Sequence, residues 1–160
     1  MLDLNDASAI HAADPQQLLA QLLSLPQHLN DGWAAANAVD LPAAFAQIDR
    51  IVIVAVGRSA VASAVFAALI ANECLLPITL VRAEDLPIFA ANSRTLVVAV
   101  SASGQAEETL AAIQQAHTRG CQLLILTHSI ELAQAAREAQ MSVLPLDERG
   151  SIGWTVAALL

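Results

Sequence analysis

The sequence contains no lysine and no tyrosine, its aromatic share is 3%, and only 14% of its residues are charged. Without lysine, no Walker-type phosphate loop can be built. The seven basic residues are all arginines, scattered along the chain against 15 acidic ones, for a net charge of −8. A nucleic-acid surface needs clustered cations, and so does attraction to an anionic membrane surface; neither partner is expected. So few aromatics leave alanine and aliphatic side chains to form the core. Cys74 and Cys121 have neither metal-ligand nor redox spacing, which predicts two reduced thiols in a cytoplasmic protein and no metal site. The opening Met1-Leu2-Asp3-Leu4-Asn5-Asp6 lacks the basic and apolar regions of a signal peptide. Residues 51–71 have the length of a membrane span, but Gly57-Arg58-Ser59 interrupts them, and an arginine at the bilayer centre is costly. Strand, turn and helix is the better reading of that run.

What is abundant is apolar side chain: 56% of the residues are hydrophobic and the mean hydropathy is +0.57. Disorder is excluded by those values. So apolar a chain buries both faces of a sheet or hides part of its surface against a partner. Its 160 residues suffice for one domain with a real core.

Residues 15–28 read as an amphipathic helix, with Asp14 as N-cap, Pro15 as first helical residue and Leu18, Leu19, Leu22 and Leu23 as the apolar stripe. Pro26 falls in its last turn or just beyond. A second short helix is expected around 31–39, before a turn at Leu41-Pro42, and Trp33 is read as a packing anchor. From Ile48 a strict alternation follows: strands at 51–56, 78–81, 96–100, 123–127 and 142–146, with helices at 59–72, 105–119 and 130–139. Apolar strands alternating with such helices imply right-handed crossovers and an open parallel sheet covered on both faces. The expected architecture is a three-layer α/β sandwich with a five-stranded parallel sheet, preceded by N-terminal helices. As one domain it divides into a helical segment (1–45), a doubly wound core (46–148) and a trailing helix (149–160).

Such sheets bind ligands beyond the carboxyl ends of their strands, where strand order reverses. The residues just past those ends are Gly57-Arg58-Ser59, Arg82, Ser101 to Gln105, His128-Ser129 and Arg149. Serines, glycines, arginines and a histidine gathered on one edge of an acidic chain favour a small anionic ligand. The loop Ser101-Ala102-Ser103-Gly104-Gln105 supplies the strongest element, because it joins a buried strand to a helix start. Free N–H groups and the positive end of the helix dipole converge there, glycine permits close approach, and hydroxyls add donors. Taken alone, the loop serves equally well as a simple serine cap. Glu107 and Glu108 read as first-turn dipole partners that point away from a bound anion. His11, His28 and His117 fall near helix ends and are expected to be solvated; His128, on the site edge, can hydrogen-bond a sugar or shuttle a proton. Gly57-Arg58-Ser59-Ala60-Val61-Ala62 keeps only the first glycine of the dinucleotide fingerprint, and Arg82 stands where a ribose-binding acid would be needed. NAD and ATP are therefore disfavoured and no cofactor is expected.

Four segments now resemble a known family: Ile53-Val54-Ala55-Val56-Gly57-Arg58-Ser59-Ala60; Leu80-Val81-Arg82-Ala83-Glu84-Asp85-Leu86-Pro87; residues 100–110; and Glu148-Arg149-Gly150-Ser151-Ile152-Gly153-Trp154. Together they resemble the sugar isomerase (SIS) domain, in particular the first half of the bifunctional phosphoglucose/phosphomannose isomerases. The resemblance implies a flavodoxin-like strand order and a site for a phosphorylated sugar. It implies Ser59, Ser101 and Ser103 as phosphate ligands, with Gly57 and Gly104 allowing close approach and Arg149 at the reacting end; position on the rim adds Gln105 beside the phosphate, Arg58 and Arg82 toward the sugar, and His128 as a further catalytic candidate. Two positions depart from the family pattern. The first threonine of the serine loop is Ala106, and a lost hydrogen bond to a charged group is worth roughly 1.5–3 kcal/mol, or about ten- to a hundredfold in affinity. The second glycine of the Gly-Gly-Ser turn is Arg58, which can attract a phosphate or fill the pocket. The family's catalytic glutamate and ring-opening histidine belong to a second lobe that these 160 residues do not contain. The implied function is aldose–ketose isomerisation of a hexose 6-phosphate, with the base supplied from outside this chain, in a homodimer or a two-lobe SIS protein. The alternative is a non-catalytic phosphosugar-sensing or dimerisation module.

Overall fold

The computed structural model describes residues 3, 5–147 and 152–160. Five strands form one sheet: β1 (Arg50–Ala55), β2 (Ile78–Val81), β3 (Thr95–Val100), β4 (Gln122–Thr127) and β5 (Ser142–Pro145). Every pairing is parallel and the order is β2-β1-β3-β4-β5. This is the covered, all-parallel sheet expected from the apolar runs, and the order reverses between β1 and β3. All six residues of β3 are buried.

The alternation of side chains divides the core. Ile53, Ala55, Leu96, Val98 and Val100 meet Phe66 of α4 (Gly57–Leu69) and Trp154 and Ala158 of α7 (Ile152–Leu159). On the opposite face, Val52, Val54, Val97 and Ala99 pack with Ala112, Ile113 and Ala116 of α5 (Glu107–Thr118) and Ala136 of α6 (Ile130–Glu138). Each fully buried aliphatic side chain contributes roughly 1.5–3 kcal/mol. The trailing helix is thus a core element: all of 153–158 is buried. It lies against α3 (Leu25–Asn37) and α4. At the α3 crossing Gly32 is mandatory, since a Cβ there would stand 2.4 Å from the Trp154 carbonyl oxygen.

The crossover from β2 to β3 contains no helix. Arg119, at the end of α5, donates through Nη1 to the carbonyls of Leu86, Pro87 and Ala90 at 2.9–3.4 Å, and Gln115 Oε1 accepts from the Leu86 N–H. Those bonds satisfy backbone that a helix would otherwise have paired internally.

The N-terminal region differs from expectation. A helix α1 (Ala7–Ala13) precedes the anticipated one, capped by the Asp6 carboxylate. The single helix over 15–28 is two pieces, α2 (Leu18–Leu23) and α3, separated at Ser24. Asp14 is not the N-cap and Pro15 is not helical: Gln17, left-handed at φ 54, is the N-cap and the helix starts at Leu18, while the Asp14 carboxylate accepts from the N–H groups of Leu18 and Leu19 at 2.8 and 2.9 Å. Pro26 opens α3 instead of closing its predecessor, because proline suits a first turn where no N–H partner is required. The expected short helix at 31–39 is the second half of α3. The leucine stripe is exposed at 48–74%, and Trp33 is 52% exposed. Conversely His28, expected to be solvated, is buried with neither ring nitrogen hydrogen-bonded. Cys74 and Cys121 are free and half-buried, and burial pushes the Cys121 thiol pKa up. Among the described residues no helix is long and apolar enough to cross a membrane.

Candidate functional site

A cavity of about 240 Å³ opens at the carboxyl ends of β1 and β3, where the strand order reverses. Its walls come from four places: the start of α4 with Arg58 and Ser59, the loop Ser101-Ala102-Ser103 running to Ala106, His128 after β4, and Ile152 and Thr155 of α7. Of the helices that begin at this cavity, α4 and α5 lack a side-chain cap. The N-cap residues are Val56 for α4 and Ala106 for α5, and neither makes a capping hydrogen bond. Each helix therefore turns its unpaired first-turn N–H groups and its positive dipole end toward this rim. Glu107 and Glu108 occupy the first turn of α5 and do not line the cavity.

Ser101 is the decisive side chain. It is 3% exposed, it lines the cavity, and its Oγ has no hydrogen-bond partner. A buried hydroxyl left unsatisfied costs about 1–3 kcal/mol; Thr109 Oγ1 of α5 shares this state, and Ser101 is the one of the two that lines the cavity. Ser103 is exposed, and its Oγ accepts from the Gln105 N–H at 3.3 Å. The simple serine-cap reading is thereby corrected: Ser103 shapes the loop rather than capping α5.

The loop's path is locked from behind. Gly104 adopts φ +71, and a Cβ on it would lie 2.6 Å from the Ser129 Cβ. Ser129 in turn caps α6 by accepting from the Leu132 N–H at 3.2 Å. The Ala102 carbonyl accepts from the His128 N–H at 3.2 Å and from Thr127 Oγ1 at 3.4 Å, tying the loop to β4. Gly57 provides the matching left-handed residue, φ +56, before Ser59.

Of the residues anticipated for this site, Arg58, Ser59, Ser101, Ser103 and His128 share the cavity wall, and Gly57, Gly104 and Gln105 adjoin it in the chain. Arg82 is exposed at the end of β2 and is not part of that wall. Arg149 lies outside the described residues. Sequence reasoning missed Ile152 and Thr155, whose only signal is a hydroxyl inside an otherwise apolar helix. Arg58 and His128 are the titratable side chains among the described wall residues.

These features define a doubly wound α/β protein with a serine-lined cleft at its topological switch point. The chain belongs to the SIS domain family, whose model matches residues 44–148. It is 26% identical over 147 residues to a bifunctional phosphoglucose/phosphomannose isomerase of Caldicellulosiruptor bescii, an alignment covering 89% of this chain and 43% of that protein. The chain thus spans less than half of that relative's length. The fold is shared with the C-terminal domain of glucosamine-fructose-6-phosphate aminotransferase from Francisella tularensis, at TM-score 0.63, 15% identity and coverage of 88% and 45%. It is shared too with the Vibrio vulnificus NanR protein complexed with ManNAc-6P, at TM-score 0.57, 19% identity and coverage of 92% and 61%.

Proposed function

We propose that this chain is the phosphosugar-binding lobe of an aldose–ketose isomerase acting on a hexose 6-phosphate. The buried, unpartnered Ser101 hydroxyl between two uncapped helix starts carries the reading. In it, the phosphate rests on Ser59, Ser101, Ser103 and the backbone beside Gly57, Gly104 and Gln105. The sugar extends toward His128, with Arg149 at the reacting end. Isomerisation moves a proton between C1 and C2 through an enediolate and needs a base. In this reading the base comes from a second lobe or a partner subunit, and the described wall residues contribute no carboxylate. A second copy of the chain has an available surface in the exposed stripe Val61, Val65 and Leu69 of α4. We take residues 1–160 as one domain because α3 and α7 pack together on the sheet, and a cytoplasmic setting suits two free thiols.

The second reading is a sensor that binds the same phosphosugar without turnover. Ala106 favours it, since it places a methyl group where the family pattern has a hydroxyl, and NanR offers a fold precedent with a bound sugar phosphate. Thermal shift with glucose, fructose and mannose 6-phosphates tests binding, with stabilisation expected from at least one and lost in a Ser101→Ala, Ser103→Ala variant. No shift with any of them defeats both readings. A coupled isomerase assay on the binding-competent protein then separates enzyme from sensor.

A further inference from the structure

We infer that Arg58 is the charge-reading ligand of this cavity and makes it select a phosphate dianion over a singly charged oxyanion ester. The inference rests on the phosphosugar reading above and moves Arg58 from the sugar to the phosphate.

Its first support is the placement of the arginines. Arg50 and Arg94 are bound to Asp49 at 2.7 and 2.8 Å, and Arg119 to the carbonyls of the β2–β3 crossover. Arg137 lies in the last turn of α6, where the helix dipole favours a cation. Arg58 has the opposite placement. It occupies the first turn of α4, which contains no acidic residue, and, like the exposed Arg82 away from the cavity, it forms no ion pair among the described residues. A cation there is repelled by the dipole in the empty protein. A local conflict of this kind is resolved when an anion arrives.

The second support is independent. Arg58 shares the cavity wall with Ser101, whose buried Oγ has no partner. Two uncapped helix starts and hydroxyl donors suffice to hold an oxyanion of either charge. A guanidinium adds a full positive charge, whose interaction scales with the charge of the ligand. A phosphate monoester carries about −1.5 to −2 near neutral pH, and a sulfate ester of the same sugar carries one. Discrimination between two such similar esters is what Arg58 contributes.

Calorimetric titration at pH 7.5 tests this with the three hexose 6-phosphates and the 6-sulfate of whichever binds best. The wild-type protein is expected to prefer the phosphate ester. Arg58→Ala should weaken it about tenfold and the sulfate by only about threefold, in proportion to charge, and Arg58→Lys should fall between. Without ligand, Arg58→Ala should melt about 1–2 °C higher, because the dipole conflict is gone; a merely structural arginine would give the reverse. Equal losses for both esters, or unchanged phosphate affinity in Arg58→Ala, overturn the inference. If Ser101→Ala abolishes phosphate binding while Arg58→Ala keeps it, the inference fails and the phosphosugar reading stands. If the wild-type protein binds none of the hexose phosphates, both fail.

Discussion

Among the described residues, two cavities of similar size on the α4–α7 side of the sheet are chemical opposites. The one at the carboxyl edge, about 240 Å³, presents serines, an arginine and a histidine. The other, about 280 Å³, is lined by Trp33, Leu41, Phe45 and Phe66 together with the strand residues Ile53 and Val98, and its polar wall is little more than Asn37. α4 contributes to both, Arg58 and Ser59 at its start and Phe66 further along. So does α7, with Thr155 in one and Ala158 in the other. One pair of helices therefore lines an apolar cavity at one end and a polar one at the other. The apolar site leaves nothing unsatisfied that a ligand must complete. The polar site keeps Ser101 unpaired at a cost to folding, as expected of a site held ready for an anion.

Perturbing one cavity should therefore change stability, and perturbing the other should change binding. The largest effect is expected from Phe66→Ala, which empties part of the apolar wall. It should lower unfolding free energy by about 3–5 kcal/mol in denaturant titration, with the thermal shift on adding hexose 6-phosphate retained. Gly104→Ala should break the contrast by harming both properties. Its φ of +71 and the 2.6 Å approach to Ser129 should cost about 1–3 kcal/mol, and ligand stabilisation should vanish with the displaced loop. Ser101→Ala sharpens the difference. Ligand-free stability should hold or rise by up to about 1 kcal/mol, because an orphaned hydroxyl is removed, while affinity for the phosphate ester drops at least about tenfold by calorimetry. The smallest effect belongs to neither cavity. The Asp49 carboxyl pKa is held below its ordinary value, first by the Arg50 hydrogen bond and then by Arg94. Its contribution is present above the ordinary carboxylate range and is lost as pH falls through the lowered folded value. Asp49→Asn should flatten the acid limb of stability against pH slightly, without changing binding.

The strands were the most legible part of the chain. Runs such as Leu96-Val97-Val98-Ala99-Val100 are apolar at every position because both faces of a parallel strand are covered, and that condition is written residue by residue. The serine loop was legible for the same local reason: it follows such a strand, and Gly104 marks where the backbone must turn left-handed. The N-terminal helices were harder to read. Leu18, Leu19, Leu22 and Leu23 form a proper amphipathic stripe, yet they face solvent, while His28 is buried on α3, the helix that packs against α7. Periodicity reports which side chains share a helix face and says nothing of what that face meets.

Composition and pattern by themselves determined the parallel sheet and the rim where its strand ends and turn residues gather, because each is set by a strand and the few residues after it. Tertiary structure alone decided that Ser101 has no partner, that Arg58 shares its cavity, that Arg82 does not, and that Thr155 closes the wall from the last helix. Those outcomes depend on packing among segments up to about a hundred residues apart, which no local spacing encodes.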